Sequence, residues 1–502
     1  MNIIFSNNLD LSNGAKLVFI VTEDFVKKNI SSNNSNCGLK YNKLNFSGKV
    51  NEGIAVVSPI LSDLVFFYGI GSEKSLEEEN YYNLEKVGNN LFKFLKKYNT
   101  DKFVIILNGN INSNSELDYQ DKTLWLKALA TGLYLSDYNF DKYKTEKAKH
   151  VINEITILSD NKKVEEEFNI LKLECNNVFF CRDLVAEPSN ILNPESYSEI
   201  CKDLEKTGLE VSVFDESVLS KLGMNALVSV GKGSNYRSKL VVLKWKGLEK
   251  FESPLAFVGK GITFDSGGIS LKPSKGMEEM KGDMAGSAVV VSLMKLLAER
   301  KAKVNAVGVV PLVENMPSGT AYKPGDVIKT MSGQTVEVLS TDAEGRMILA
   351  DALYYTVVNY EPETMIDLAT LTGAICVALG ENYAGLFTNH EGLSRELTKS
   401  GLRASEWIWK MPLSEIGGPC DKLIDSDIAD MKNVGGRDGG AITAAQFLQR
   451  FVGKTKKWAH LDIAATSFVK SSNYFVEKGE TGFGVRLLNR YIKEYCEKQK
   501  AL

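Results

Sequence analysis

Histidine is scarce in this sequence: His150, His390 and His460 are the three copies among 502 residues, and no His-Glu-x-x-His pattern occurs. A metal site built here must therefore draw largely on oxygen ligands. The seven cysteines are scattered and form no Cys-x-x-Cys pair, which argues against a thiolate zinc site or a disulfide framework. It points instead to reduced thiols in a cytosolic compartment. No apolar run reaches the length of a membrane span, and the opening Met1-Asn2-Ile3-Ile4-Phe5 has neither a basic n-region nor a secretory core. An excess of one charge is also missing. The 60 Lys+Arg stand against 63 Asp+Glu, a net charge of −3, so nothing in the balance calls for a nucleic-acid or membrane partner.

What is present describes an ordinary soluble globular chain, 44% hydrophobic and 25% charged, long enough for more than one domain. Strand-like runs such as Lys16–Val21, Asp63–Gly71 and Lys102–Leu107, with a helical run from Tyr82 to Leu95, predict a smaller N-terminal α/β domain over 1–160. Asn29 to Cys37 reads as a loop. The charged, then amphipathic stretch from Lys162 to Leu184, stopped by Pro188, predicts a linker helix within 161–189. Runs at Glu210–Phe214, Leu240–Trp245, Leu255–Gly259, Val304–Val310, Thr364–Leu368 and Trp458–Ile463 alternate with helical segments. They predict a larger C-terminal α/β domain over 190–502, a mixed sheet flanked by helices.

Two polar clusters interrupt the second domain. The first is Ser340-Thr341-Asp342-Ala343-Glu344-Gly345-Arg346, between the alternating run Thr335–Leu339 and the apolar run Met347–Val358. That context predicts a strand-to-helix turn at the carboxyl end of a strand, the edge where α/β sheets bind ligands. On its own the pair of acids means little, because helix starts favour acids. The second cluster follows the Leu255–Gly259 run. It places Lys260 at a strand end, Asp265 in a glycine-rich loop, and Asp283 at a helix start. A phosphate loop is excluded by the missing Gly-x-x-x-x-Gly-Lys-Ser/Thr order and by the acids themselves. Together the clusters bring Asp265, Asp283, Asp342 and Glu344 to one predicted sheet edge. Converging carboxylates cannot all ionise without cations, and a pair of divalent metals resolves the conflict and creates a hydrolytic site.

Ser-Thr-Asp-Ala-Glu-Gly-Arg at 340–346, Val-Gly-Lys-Gly-Ile-Thr-Phe-Asp-Ser-Gly-Gly at 258–268 and Lys-Gly-Asp-Met at 281–284 together resemble the cytosolic leucyl aminopeptidases, dinuclear zinc enzymes. Ala369–Ala374, Ser426–Met431, Trp458–Ala464 and Thr481–Arg486 extend the resemblance over the second domain. The first domain resembles the family only through Phe140–Thr145.

The resemblance implies that Asp265 and Glu344 bridge the metals, Asp342 holds one, and Lys260 and Asp283 hold the other. It implies two divalent ions per chain, Zn²⁺ with one site exchangeable for Mn²⁺, Mg²⁺ or Co²⁺, and a metal-bridging water as nucleophile. Lys272 would stabilise the oxyanion, and Arg346 would hold a bicarbonate serving as general base. Met280, Ser340, Thr370, Leu371, Gly373 and Ala464 would meet the substrate, and their apolar or small character suits leucine-like first side chains. Ser340, Met347 and Ala285 depart from the family's Asn, Leu and Gly, and none of them removes a ligand. The implied activity is release of N-terminal residues from peptides by a cytoplasmic homohexamer. Alternatives are a dipeptidase acting on Cys-Gly-type substrates and an accessory DNA-binding role, the second disfavoured by the balanced charge.

Overall fold

The computed structural model describes residues 1–31, 35–36, 39–40, 43–76, 81–107, 123–146, 151–159, 161–471, 476 and 478–497. The chain divides into two compact units, Met1–Cys175 with Ser472–Glu477 and Asn176–Ser471 with Lys478–Leu502. The 25-residue helix Lys162–Ala186 carries the chain from the first to the second. The six described cysteines are all free thiols. No helix among the described residues is long and apolar enough to cross a membrane.

The first unit is built on a six-stranded sheet. Its order is Asn2–Ser6, Glu154–Leu158, Lys102–Leu107, Lys16–Val21, Leu64–Gly69 and Gly53–Val57. All neighbours run parallel except the last pair. The middle strands Lys16–Val21, Leu64–Gly69 and Lys102–Leu107 are continuous apolar runs, as strands covered on both faces must be. Helices Tyr81–Leu95 and Thr123–Leu135 pack so closely that a Cβ on Gly132 would come 1.9 Å from the carbonyl oxygen of Glu85.

The second unit carries a nine-stranded mixed sheet. Its path is Ile408–Lys410, Ala384–Thr388, Lys457–Asp462, Thr364–Ala369, Leu255–Gly259, Asn305–Asn315, Lys239–Lys246 and Glu210–Asp215, with Gly261–Asp265 added alongside Asn305–Asn315. The four central strands from Lys457–Asp462 to Asn305–Asn315 are mutually parallel. Their register pairs Gly259 with Leu368 and Ala369 with Asp462, so three strands end on one edge. Helix Ala285–Glu299 packs on this sheet and is buried nearly all round, which explains why its sequence is apolar on every face. Helix Glu344–Tyr360 is likewise buried over most of its length. Its one internal acid, Asp351, is satisfied by N–H donors of Met331 at 2.8 Å and Leu227 at 3.0 Å. Burial pushes that carboxyl up to about 7 despite those bonds. At the entrance to this unit, Asn193 caps helix Pro194–Asp203. Its Oδ1 accepts the N–H of Ser196, whose hydroxyl accepts the N–H of Asn193 in return. Such a capping box stabilises a helix by about 1 kcal/mol.

Three expectations change. The run Thr335–Leu339 is a strand only over Thr335–Glu337, and it lies in a separate three-stranded sheet with Val327–Lys329 and Met431–Lys432. Leu339 and Ser340 leave the ladder because their N–H groups donate to Asn433 Oδ1 at 2.8 and 3.3 Å. Asp265 is not in a loop but ends the strand Gly261–Asp265, hidden in the sequence by its flanking glycines. Asn29–Ser31 close the helix Glu23–Ser31 rather than opening a loop, and Ser35–Asn36 form a short strand. Residues 32–34 and 37 lie outside the described residues.

Candidate metal centre and cleft

Lys260 follows its strand directly and is 2% exposed. Its ammonium is 2.8 Å from Asp283 Oδ1, 2.8 Å from Glu344 Oε1, and donates to the carbonyl of Thr370 at 2.9 Å. Burial alone would favour the neutral amine. The charges of Asp283, Glu344 and Asp265 outweigh it and hold the ammonium above the ordinary lysine value. Lys272 makes a second such pairing, with Nζ 2.7 Å from Asp265 Oδ2 and also bonded to Asp342 Oδ1. Two lysines therefore serve four acids. The shortfall appears in the carboxyls: burial and the neighbouring Asp265 push Glu344 up to about 8, and burial pushes Asp283 up to about 6. Asp342 is raised for the same first reason. Asp283 Oδ2 and Glu344 Oε2 are buried with no hydrogen-bond partner among the described residues. Carboxylate oxygens of Asp265, Asp342 and Glu344 lie within 4.8 Å of one another. The metal ligands expected from the sequence thus converge in one place, and Lys272 with them.

Residues the sequence reading passed over hold this arrangement. Asn315, the last residue of the longest strand, uses one amide group to bond Asp265 Oδ1 at 2.8 Å and the carbonyl of Thr341 at 3.0 Å. Tyr322 donates to the same carbonyl at 2.9 Å. Thr341 and Ser270 exchange side-chain and backbone bonds at 2.8 and 3.1 Å, tying the turn before Asp342 to the loop after Asp265. A polar residue closing a largely apolar strand at its carboxyl end was the available signal for Asn315.

Gly345 is required by proximity. A Cβ there would lie 2.6 Å from Lys260 Cε and 2.8 Å from Nζ. A free lysine would swing away, but three partners hold this one. Gly345→Ala is expected to cost about 1–3 kcal/mol in stability, as overpacking does, and to reduce metal content. Thermal melting and metal analysis check this, and an unchanged protein would show that Lys260 is free to move.

Lys260, Asp265, Lys272, Asp283, Asp342 and Glu344 open into a cleft of about 870 Å³, together with Met280, Thr370, Leu371, Gly373 and Ala464. Ser340 and Arg346 are not among its lining residues. The hydroxyl of Ser340 accepts the N–H of Asp342 at 3.3 Å. Arg346 is buried behind the turn, donates Nη1 to the carbonyl of Asn433 at 2.8 Å, and leaves Nε unpartnered among the described residues. Burial lowers its guanidinium to about 10. The histidines are structural in placement. His460 is fully buried and paired with Asp367 at 2.6 Å, while His390 Nδ1 caps helix Glu391–Ala404. His150 lies outside the described residues.

A mixed α/β sheet with four acids and two lysines gathered at the ends of its parallel strands is an enzyme's architecture, and comparison identifies the class. The profile of the cytosol aminopeptidase family's catalytic domain matches residues 179–489, and that of its N-terminal domain matches residues 40–147. The chain belongs to the cytosol aminopeptidase family, and it is an aminopeptidase, a hydrolase of the leucyl aminopeptidase kind. Probable cytosol aminopeptidases of Nitrobacter winogradskyi and Ehrlichia ruminantium (strain Gardel) are 45% and 47% identical to it over 463 residues. Those alignments cover 91% and 90% of this chain and 89% of each relative. Among solved structures, a tomato leucine aminopeptidase mutant is similar at 30% identity with a TM-score of 0.82, covering 98% of this chain and 96% of that one. The bottromycin maturation enzyme BotP in complex with Mn is similar at 28% identity and a TM-score of 0.80, covering 95% and 99%.

Proposed function

We propose that this aminopeptidase is metal-dependent and releases leucine-like or other apolar N-terminal residues from peptides. One observation carries the reading. A largely buried group of carboxylates has fewer counter-charges than acids, and two of its buried oxygens, Asp283 Oδ2 and Glu344 Oε2, lack a partner among the described residues. This donor set fits hard or borderline divalent cations. Asp265 and Glu344 would bridge two ions, Asp342 would hold one, and Asp283 and Lys260 would hold the other, Lys260 as the neutral amine after the field of the two ions has displaced its proton. Zinc is the metal the resemblance implies, with manganese, magnesium or cobalt exchanging at one site; the manganese complex of the BotP neighbour supports a site open to that ion. When bound, such a pair supplies an activated water and polarises the scissile carbonyl.

The chain's own groups do the rest. Lys272 lines the cleft with Lys260 and carries the positive charge that would face the developing oxyanion. Asp283 would hold through its unpartnered oxygen the ion that the substrate's amine coordinates. Met280, Leu371, Gly373 and Ala464 give the first side chain an apolar surface, and Thr370 fixes Asp283 through a 2.7 Å bond. Ser340 acts beside them through the Asp342 turn. Arg346, buried with an Nε that has no partner among the described residues, is the residue that would hold bicarbonate. The reading includes a cytoplasmic homohexamer of 55.5 kDa chains, whose mass light scattering measures, with the first unit serving assembly.

The test pairs metal analysis of the purified protein with a panel of aminoacyl fluorogenic substrates. Hydrolysis should be greatest for leucine and methionine, should vanish with a strong chelator, and should return with zinc, manganese or cobalt. Full activity in metal-free protein would overturn the proposal.

A further inference from the structure

Two short segments form the apolar side of the cleft, Thr370–Gly373 and the turn at Ala464, and they come from different strands. Neither belongs to a sheet ladder at that point, so their backbone donors need partners elsewhere. Ile463 N–H donates to the Ala369 carbonyl at 2.9 Å, whereas the N–H groups of Leu371 and Ala464, the residues that face the pocket, converge on one side chain. Asp462 is fully buried at the last position of its strand. Its Oδ1 accepts the N–H of Leu371 at 3.1 Å and the N–H of Ala464 at 3.2 Å. Its Oδ2 accepts the hydroxyl of Thr372 at 2.7 Å. That hydroxyl in turn accepts the N–H of Ile375 at 3.2 Å and caps helix Gly373–Leu379.

We infer that Asp462 is a positioning residue that sets selectivity for the first side chain by clamping both walls of the pocket to each other. The inference rests on the pocket proposed above. It touches neither substrate nor metal ligands directly. A single carboxylate joins the loop bearing Leu371 to the turn bearing Ala464, so the gap between those side chains is fixed by its bonds rather than by packing alone. The neighbouring Thr370 bonds Lys260 through its carbonyl and Asp283 through its hydroxyl. The clamped segment therefore also holds the pocket wall in register with the acid cluster. A carboxylate suits this task because only an acceptor-only group can take three donors at once.

The experiment compares wild type with Asp462→Ala, Asp462→Asn and Thr372→Val. The last change removes one hydroxyl while conserving shape, so it remains informative should the alanine variant misfold. Metal content is measured for each, kcat and KM are determined for peptides beginning with Leu, Met, Ala and Lys, and amide hydrogen exchange is followed at Leu371 and Ala464. Asp462→Ala should flatten the preference of the wild type, whatever its order, by roughly tenfold, which is the scale of a methylene-sized change in pocket fit. The loss should appear mainly in KM for the preferred side chain, with metals retained and exchange at both amides accelerated. Asp462→Asn, which keeps an acceptor, should fall between, and Thr372→Val should accelerate exchange at Leu371 more than at Ala464. An unchanged selectivity ratio, or a uniform fall in kcat across all substrates, would overturn the inference. So would wild-type exchange at both amides in Asp462→Ala. A wild type that cleaves the panel without preference would defeat the proposed pocket, and exchange alone would then decide the clamp.

Discussion

Glu344→Ala is expected to lose at least one metal ion per chain and to fall by roughly 10³-fold or more in kcat, about 4 kcal/mol of barrier. Glu344 sits at the first turn of a buried helix, with Oε1 2.8 Å from Lys260 and Oε2 buried without a partner among the described residues. Burial and Asp265 push its carboxyl up to about 8, a mark of how poorly its negative charge is compensated by the lysines alone. A cation would remove that penalty, and the carboxylate would in turn screen two cations from each other. Alanine removes the screen and leaves Lys260 with Asp283 as its one close carboxylate. Lys272→Ala should behave differently. It should keep its metals and lose roughly 10²–10³-fold in kcat, as the loss of one oxyanion donor does. Atomic absorption on both variants, beside steady-state kinetics, separates the two. Wild-type metal content and rate in Glu344→Ala would refute the bridging assignment, and metal loss in Lys272→Ala would make that lysine part of the binding site instead.

N-acetylation of a leucyl peptide is expected to depress kcat/KM by at least roughly 10²-fold, the cost of a misplaced reacting group. The argument starts from Asp283. Its Oδ1 is taken by Lys260 and by Thr370, and its Oδ2 is buried and unpartnered among the described residues. A free amine would coordinate the ion that Asp283 would hold through that oxygen, and so bring the first carbonyl to the acid cluster. An acetamide has no basic nitrogen and adds bulk where the amine should sit. Matched peptides, free and acetylated, at equal concentrations provide the check. Comparable kcat/KM for the two would show that the amine is not the anchor and would favour an endopeptidase or amidase.

The chemistry-bearing residues were legible in the sequence because each lies in a short glycine-framed motif: Lys260 and Asp265 in one, Asp283 in the next, Asp342, Glu344 and Arg346 in the last. The central strands were legible for a different reason. A parallel strand covered on both faces must be apolar throughout, and Leu255–Gly259, Asn305–Asn315 and Thr364–Ala369 are nearly so. The edge strand Ile408–Lys410 and its neighbour Ala384–Thr388 escaped, being short and set among helices and turns.

By itself, then, the sequence determined the residue types of the site, the apolar sheet that carries them and the helices that follow, since these depend on local composition and period. Tertiary structure decided which lysine neutralises which acid, because that depends on approach across more than twenty residues, as between Lys260 and Glu344. It also decided that the Asp342 turn hangs on Asn433, Asn315 and Ser270 instead of on a strand of the main sheet. Only the fold could place Asp462 between two loops, because a buried carboxylate becomes a clamp when it collects donors from segments about ninety residues apart, Leu371 and Thr372 on one side and Ala464 on the other.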